Sequence, residues 1–274
     1  MRRATLAAAA ALAAVGLAAA PAAAQDSGTP TDATVVVVHG IPDTPVDVYV
    51  NDALTLDDFA FGTVTDPLSL PAGDYAIDVR AADAAADADP ILEADASLAA
   101  GDNVSIVAHL SEAGDPMITA FANDTAPTAA GEGRLVVRHT AAAPAVDVLA
   151  GGQAVFTDLA NPHEAQADLP AGTVSASVAV AGTTDPVIGP ADVPVVDGQA
   201  TIVYAVGSAE AGNLDVLVQT IPGLQSAPAA VDTGNSGLAA PKADEPRVAA
   251  FVTLGLAAAT VLGAGVVLGR RARA

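Results

Sequence analysis

The sequence predicts an all-β protein built from two tandem antiparallel β-sandwich domains and followed by a C-terminal transmembrane helix. Three observations predict this class. Short segments alternate apolar and polar residues, the middle of the chain repeats itself at a spacing of about 100 residues, and a long charge-free segment lies near the C-terminus.

The strand prediction comes from segments with the two-residue period of a half-buried strand. Residues 46–50 and 75–79 show it most clearly. Residues 70–73, Leu-Pro-Ala-Gly, have Pro and Gly where a type I turn prefers them, and residues 81–88 are predicted as a surface loop because of their aspartates. Short strands between frequent turns are typical of a β-sandwich. Further strands are expected at residues 104–110, 117–122, 174–180, 200–206 and 214–220.

An internal duplication divides the exported part of the chain. Four blocks recur in order, which predicts repeat 1 over residues 33–126 and repeat 2 over residues 133–222, with a linker at 127–132. Each copy has the size of a single domain. The matched blocks are 35–39 with 135–139 (continued by 45–48 with 145–148), 70–73 with 169–172, 89–90 with 185–186, and 105–107 with 201–203.

The N-terminus has the pattern of a signal peptide over residues 1–24. Arg2 and Arg3 precede an apolar stretch that ends in three alanines, so cleavage is expected before Gln25. The alternative is a permanent N-terminal anchor. The small-residue exit and the polar residues 25–32 argue against it.

Residues 248–269 are predicted to span a membrane. They form 22 residues without a charge, which is enough for a helix to cross a hydrocarbon core of about 30 Å. The tail at 270–274 carries three arginines, so the positive-inside rule places it in the cytoplasm and the domains outside, as in a type I cell-membrane protein. Residues 223–246 are rich in Gly, Pro, Ala and Ser and predict a flexible stalk.

Three alternatives for this C-terminal segment differ in how well they fit. A buried core helix is disfavoured by the long charge-free run and the basic stop. A GPI signal would end in its hydrophobic tail, whereas this chain ends in basic residues. Covalent attachment by a sortase stays open, although residues 231–234, Val-Asp-Thr-Gly, lack the Leu-Pro that such a motif needs.

Charge and composition limit the partners. Residues 25–246 hold four basic and 32 acidic residues, a net charge of −28. This charge argues against nucleic acid and anionic lipid surfaces, because both need cationic partners. The chain has no cysteine, which excludes disulfides and thiolate metal sites. The scarcity of aromatic residues disfavours glycan binding.

The sequence assigns no catalytic, cofactor-binding or metal site, although several residues are of types that such sites use. His39 and His139 recur at equivalent strand ends, and each is expected to be satisfied by the adjacent turn rather than by a metal. Asp47 and Asp147 recur between valines and are expected to face outward from their strands.

Two further groups of acidic residues could suggest chemistry. Asp83, Asp87 and Asp89, with Asp95 beyond, crowd one segment, but their spacing is not that of an EF-hand, so a solvated loop is favoured over a calcium site. Residues 232–234, Asp-Thr-Gly, match the aspartic protease triplet but lie in the predicted stalk.

The chain resembles, in two tandem copies, the family called domain of unknown function 4397, found in exported bacterial proteins; the first copy matches well and the second more weakly. The resembling elements are residues 35–39, the run Pro45 and 47–50, the Phe-Ala-Phe-Gly at 59–62, and residues 70–73. The family's segment is expected to cover residues 34 to about 121. The resemblance implies a β-sandwich module and no catalytic residues.

We therefore expect a cell-surface protein with a structural or interaction role, no enzymatic activity and no cofactor. Its expected partners are the membrane and a protein or envelope component outside the cell. The alternatives are a cation- or glycan-binding surface receptor and an exported hydrolase, which would need two carboxylates at catalytic separation in a cleft.

Overall fold

A computed structural model describes residues 31–85 and 88–226 of the chain. In these residues all regular structure is β-strand, sixteen strands in total, arranged in four sheets of four strands each. The all-β prediction is therefore confirmed for this part of the chain.

None of the residues in these ranges forms a helix that could cross a membrane. The predicted signal peptide at 1–24, the transmembrane segment at 248–269 and the tail at 270–274 lie outside the described residues, as does all but the start of the predicted stalk.

The first half of the described chain, residues 32–122, contains eight strands in two sheets. One sheet has the order β4-β1-β7-β8 and the other β3-β2-β5-β6. The strands are β1 (Asp32–His39), β2 (Val46–Val50), β3 (Ala53–Phe59), β4 (Leu68–Pro71), β5 (Gly73–Ala81), β6 (Leu92–Leu98), β7 (Asn103–Leu110) and β8 (Pro116–Ala122).

The second half, residues 132–222, repeats this arrangement strand for strand. Its sheets have the orders β12-β9-β15-β16 and β11-β10-β13-β14. The strands are β9 (Glu132–His139), β10 (Val146–Ala150), β11 (Gln153–Leu159), β12 (Glu164–Pro170), β13 (Gly172–Val180), β14 (Pro186–Val195), β15 (Gln199–Val206) and β16 (Asp215–Pro222).

Each half contains one parallel strand pair, so the prediction of purely antiparallel sheets is wrong in this respect. β1 pairs with β7 in parallel, and β9 pairs with β15 in the same way. The reason is topological. Between β1 and β7 the chain visits the opposite sheet, so β7 can return beside β1 in the same direction through a long crossover.

Apolar residues at alternate strand positions hold the two sheets of each half together. In the first half, Val35 and Ile106 of one sheet pack with Val48 and Ile77 of the other in a single buried cluster. In the second half, Leu135 and Val137 pack with Val146, Val148 and Val193 in the same way. Each half is thus a pair of face-to-face sheets with its own core.

A third core lies between the halves. It joins the outward side of the β4-β1-β7-β8 sheet to the outward side of the β12-β9-β15-β16 sheet, and we call it the inter-half face. Its residues are Val36, Val38, Val107 and Phe121 from the first half, with Val136, Ile202, Tyr204, Val206 and Leu217 from the second. Both sheets of this pair are therefore covered on two sides, which explains the continuous apolar runs at residues 35–38 of β1 and 135–137 of β9.

Two local predictions need correction. Residues 70–73 do not reverse the chain within one sheet, because Pro71 pairs with Asp32 in one sheet and Gly73 pairs with Leu98 in the other. The segment is a corner between sheets.

The strand register also corrects the alignment of one matched block of the duplication by one residue. Val35 pairs with Val104 and Leu135 pairs with Thr201, so Thr201 is equivalent to Val104 rather than to Ser105. Because side chains alternate across a strand, this one-residue difference decides which face each residue occupies. Ser105 and its true equivalent, Ile202, both lie on the inter-half side.

Candidate functional site

Asp47 and Asp147 each lie opposite a β-bulge on the neighbouring strand. Opposite Asp47, strand β3 carries an irregularity between Leu56 and Phe59, and Asp58 there has a positive φ of 50°. The Asp47 carboxylate accepts a hydrogen bond from the Asp58 amide at 2.9 Å. An extra residue in a strand leaves an amide without a ladder partner, and this carboxylate satisfies it.

The second half builds the same bulge. Asp147 accepts from the Asp158 amide at 2.9 Å and from the Gly182 amide at 2.8 Å. Both Asp47 and Asp147 are only 6% exposed. The expectation of outward-facing positions is therefore right about direction, away from the sandwich core, but wrong about exposure, because the bulge covers these side chains.

The bulge in the first half also brings three carboxylates together. Oxygens of Asp47, Asp57 and Asp58 lie within 4.8 Å of one another. Repulsion from Asp57 is the main reason that the pKa of Asp58 lies above its usual value, with smaller contributions from burial, Asp83 and Asp47. Among the described residues, this is the one group that has the donor set of a metal site.

The equivalent position in the second half is less acidic. Thr157 stands where the first half has Asp57, yet the Asp147–Asp158 hydrogen bond has the same length as its counterpart. The bulge geometry therefore does not depend on the third carboxylate, and the role that both halves share is to satisfy the bulge amide.

His39 and His139 are buried at the ends of β1 and β9. Nε2 of His39 donates to the Thr44 carbonyl at 2.7 Å, and Nε2 of His139 donates to the Pro144 carbonyl at 3.0 Å. Burial lowers the pKa of both imidazoles, although these hydrogen bonds act in the opposite direction. Both rings thus close the turn that follows their strand, as predicted.

The segment with Asp83, Asp89 and Asp95 does not bring these side chains into a cluster of metal ligands in the part of the chain that the structure describes. Asp83 and Asp89 are exposed in the loop, and Asp95 is exposed on β6. Asp87 and residues 232–234 lie outside the described residues.

The most extensive group of hydrogen-bonded polar side chains lies within the inter-half face, and no sequence motif indicated it. Arg138 on β9 is 1% exposed. Its guanidinium donates three hydrogen bonds, to Glu164 Oε2 at 2.8 Å, to the Tyr204 hydroxyl at 2.8 Å, and to Asn123 Oδ1 at 2.7 Å. The guanidinium carbon also lies 4.4 Å from the centre of the Phe121 ring. Since Phe121 lies on β8 of the first half and Asn123 directly follows that strand, this one side chain joins both halves.

The network continues across the face. The Tyr204 hydroxyl donates to Gln219 Oε1 at 2.6 Å, and the Ser105 hydroxyl of the first half donates to the same oxygen at 2.9 Å. Asn123 Nδ2 donates to Ser105 Oγ at 3.0 Å. Burial raises the pKa of Tyr204, while Arg138 opposes this shift. The tyrosine therefore stays a neutral donor.

Two further side chains hold the halves together beside this network. Arg134 makes a bidentate pair with Asp168, and its guanidinium also contacts the carboxylate of Asp124 at 2.9 Å, in the segment that connects the halves. Asn161 Nδ2 donates to the Leu110 carbonyl of the first half at 2.8 Å and to the Ala141 carbonyl of the second. The connection is thus fixed at three separate places.

His109 lies fully buried on the same side of β7. Nδ1 donates to the Leu110 carbonyl at 2.8 Å, and Nε2 accepts from the Thr119 hydroxyl at 2.8 Å. Burial lowers its pKa to about 4, with a smaller contribution from His139, so the ring is neutral near pH 7.

Comparison with known proteins identifies one family. The model of DUF4397, a domain of unknown function, matches residues 33–149. This confirms the family predicted for the first repeat, whereas a second tandem copy of that family stays a prediction. The match runs beyond the expected end near residue 121, through β9 and into β10 of the second half. No curated protein matches the chain.

Proposed function

We propose that this chain, which carries a DUF4397 match over residues 33–149, is a non-catalytic surface protein whose tandem β-sandwich domains act as one rigid structural or interaction module. The observation that supports this proposal is the inter-half face. It buries apolar residues from both halves around a hydrogen-bonded arginine.

Rigidity follows from the chemistry of this face. Domains that share only a linker move independently by default, whereas a large apolar interface fixes them. Here Val38 and Val107 of the first half pack with Tyr204 and Val206 of the second. Separating the halves would also remove the hydrogen bond from Arg138 to Asn123 and the contact of its guanidinium with the Phe121 ring, which costs free energy because a buried charged donor would lose a partner.

The halves meet through matched sheets, so the bulged sheets lie on the sides away from the inter-half face. We propose that the net charge of −28 over residues 25–246 keeps this exterior soluble and prevents edge-to-edge association. In this proposal the signal peptide at 1–24 exports the module, and the segment at 248–269 anchors it, with residues 223–246 as a stalk.

Cation binding is the second candidate function, and one observation favours it. Asp47, Asp57 and Asp58 place three carboxylates within ligand distance of one another. It ranks second because Asp47 already serves the bulge amide and because the second half makes the same bulge with a threonine in place of Asp57.

Protease treatment of intact cells tests the proposal. An exposed stalk is cut before a rigid module is, because cleavage requires locally unfolded chain. We expect one released fragment that contains both halves and resists further cleavage. Separate fragments cut between residues 122 and 132 would contradict the rigid module, and full protection of the chain would contradict its surface location.

A further inference from the structure

We infer that the first half holds a binding site for a small neutral molecule with an alkyl chain, in a cavity between its two sheets. The cavity measures about 220 Å³ and is lined by aliphatic side chains of both sheets. Its deepest lining residues, which include Val48, Ile77 and Ile106, are buried. This inference goes beyond the proposed structural role and does not depend on the inter-half face.

The size and the lining suit an apolar guest. An apolar cavity of roughly 150 Å³ in a protein core stays dry and binds benzene, so a space of this size accepts a somewhat larger hydrocarbon. A second space of about 20 Å³ shares Val37, Val48, Ile77 and Ile106 with the first and continues towards Phe59. The two spaces therefore neighbour each other across shared aliphatic walls, and a flexible alkyl chain can adapt to such an interior more easily than a rigid ring can.

The entrance lies at the edge formed by β3 and β4. The lining residues with the greatest exposure are Asn51 and Thr55, whereas Leu56, Leu68 and Leu70 are half-buried. At the opposite edge of the two sheets, β6 contacts β8. A guest would therefore enter past β3, with its polar end near Asn51 and Thr55.

The charge near the entrance selects a neutral head group. Among the residues that the structure describes, no basic side chain lines the cavity, and Asp52 follows Asn51 in the exposed turn. A fatty acid carboxylate would lose hydration there without gaining a cation. A hydroxyl, ester or amide head avoids this cost.

The equivalent space in the second half is smaller, about 50 Å³, because larger side chains occupy part of it. Phe156 stands where the first half has Leu56, since both pair with the equivalent valine of the neighbouring strand. Phe156 packs against the core of the second half. Val193 likewise replaces Ala96, as their pairings with Val174 and Tyr75 show. The two halves thus supply a larger and a smaller version of one apolar space.

These differences define the variants. Leu56→Phe and Ala96→Val each place the second half's residue in the cavity. Leu54→Phe is the matched control, because Leu54 lies on the same strand but is 49% exposed and does not line the cavity. Octanol, with hexanol and decanol for length and octanoate for charge, serves as the probe, titrated into the full-length protein by calorimetry.

We expect saturable octanol binding at one site, at least about tenfold weaker binding in Leu56→Phe, and unchanged binding in Leu54→Phe. Methyl NMR of the unmodified protein gives an independent readout, with octanol shifting the Ile77 and Ile106 signals. If those methyl signals do not move, or if Leu56→Phe and Leu54→Phe bind octanol equally, the inference is wrong. Octanoate binding as tight as that of octanol would overturn the neutral head group.

Discussion

Replacing Arg138 by methionine removes the charge at the centre of the inter-half face while keeping most of the side-chain volume. The variant loses three charge-assisted hydrogen bonds of 2.7 to 2.8 Å and the contact with the Phe121 ring. The partners that remain are Tyr204, which is buried, and Glu164 and Asn123, which are partly accessible.

The expected loss follows from these partners. Removing one member of a buried ion pair costs about 3–5 kcal/mol, because the other member is left unpaired. Glu164 has 34% side-chain exposure and can regain water, so the lower end applies. We expect Arg138→Met to reduce the free energy of unfolding by about 3 kcal/mol.

Urea unfolding of the full-length protein, followed by far-ultraviolet circular dichroism, measures this difference. Glu164→Gln is the matched control. It keeps an acceptor for Arg138 but removes the charge at a partly exposed position, so we expect a loss of about 1 kcal/mol. A loss below about 1 kcal/mol for Arg138→Met, or equal losses in the two variants, would refute the central role of the guanidinium.

Three further predictions concern other parts of the molecule. Gly40→Ala should destabilise the protein by about 1–3 kcal/mol in the same urea assay, because the added methyl would lie 2.8 Å from a methyl of Val206 across the inter-half face. A neutral effect would show that the halves separate easily. Acidification from about pH 6.5 to about pH 4 should lower the free energy of unfolding by about 3 kcal/mol through His109 alone. The reason is that its folded pKa of about 4 lies below the unfolded value of 6.5, so the unfolded chain takes up the proton first. His109→Gln should flatten the dependence of stability on pH in this window, and an unchanged slope would contradict the assignment. Millimolar calcium and magnesium should raise the melting temperature slightly and equally, because the acidic charge is diffuse; a calcium-selective rise that Asp57→Thr abolishes would instead establish the Asp47, Asp57 and Asp58 group as a metal site.

The sequence predicted strands best where one side faces a core. Val46–Val50 and Gly73–Ala81 alternate clearly because their inner residues fill the space between two sheets. The edge strands gave weaker signals. Ala53–Phe59 has mostly exposed side chains and two adjacent aspartates, and Pro186–Val195 contains three prolines, which suit an edge strand but obscure its pattern.

The hydrogen bonds of the buried polar groups also differ in how well the sequence predicted them. The hydrogen bond of His39 was predictable, because its acceptor, Thr44, lies five residues away in the adjacent turn. The partners of Arg138 lie 15, 26 and 66 residues away along the chain. Strand pairing within one sheet brings Glu164 and Tyr204 to Arg138, and the packing of the two halves adds Asn123. No local pattern in the sequence records either arrangement.

The distance between the two halves tests the central claim most directly. The chain has no native cysteine, so Asp95→Cys and Val187→Cys place one spin label on an exposed strand of each half. Pulsed electron paramagnetic resonance on the full-length protein should give one narrow distance distribution, which Arg138→Met broadens. A broad or multimodal distribution in the otherwise unchanged protein would contradict a rigid tandem module.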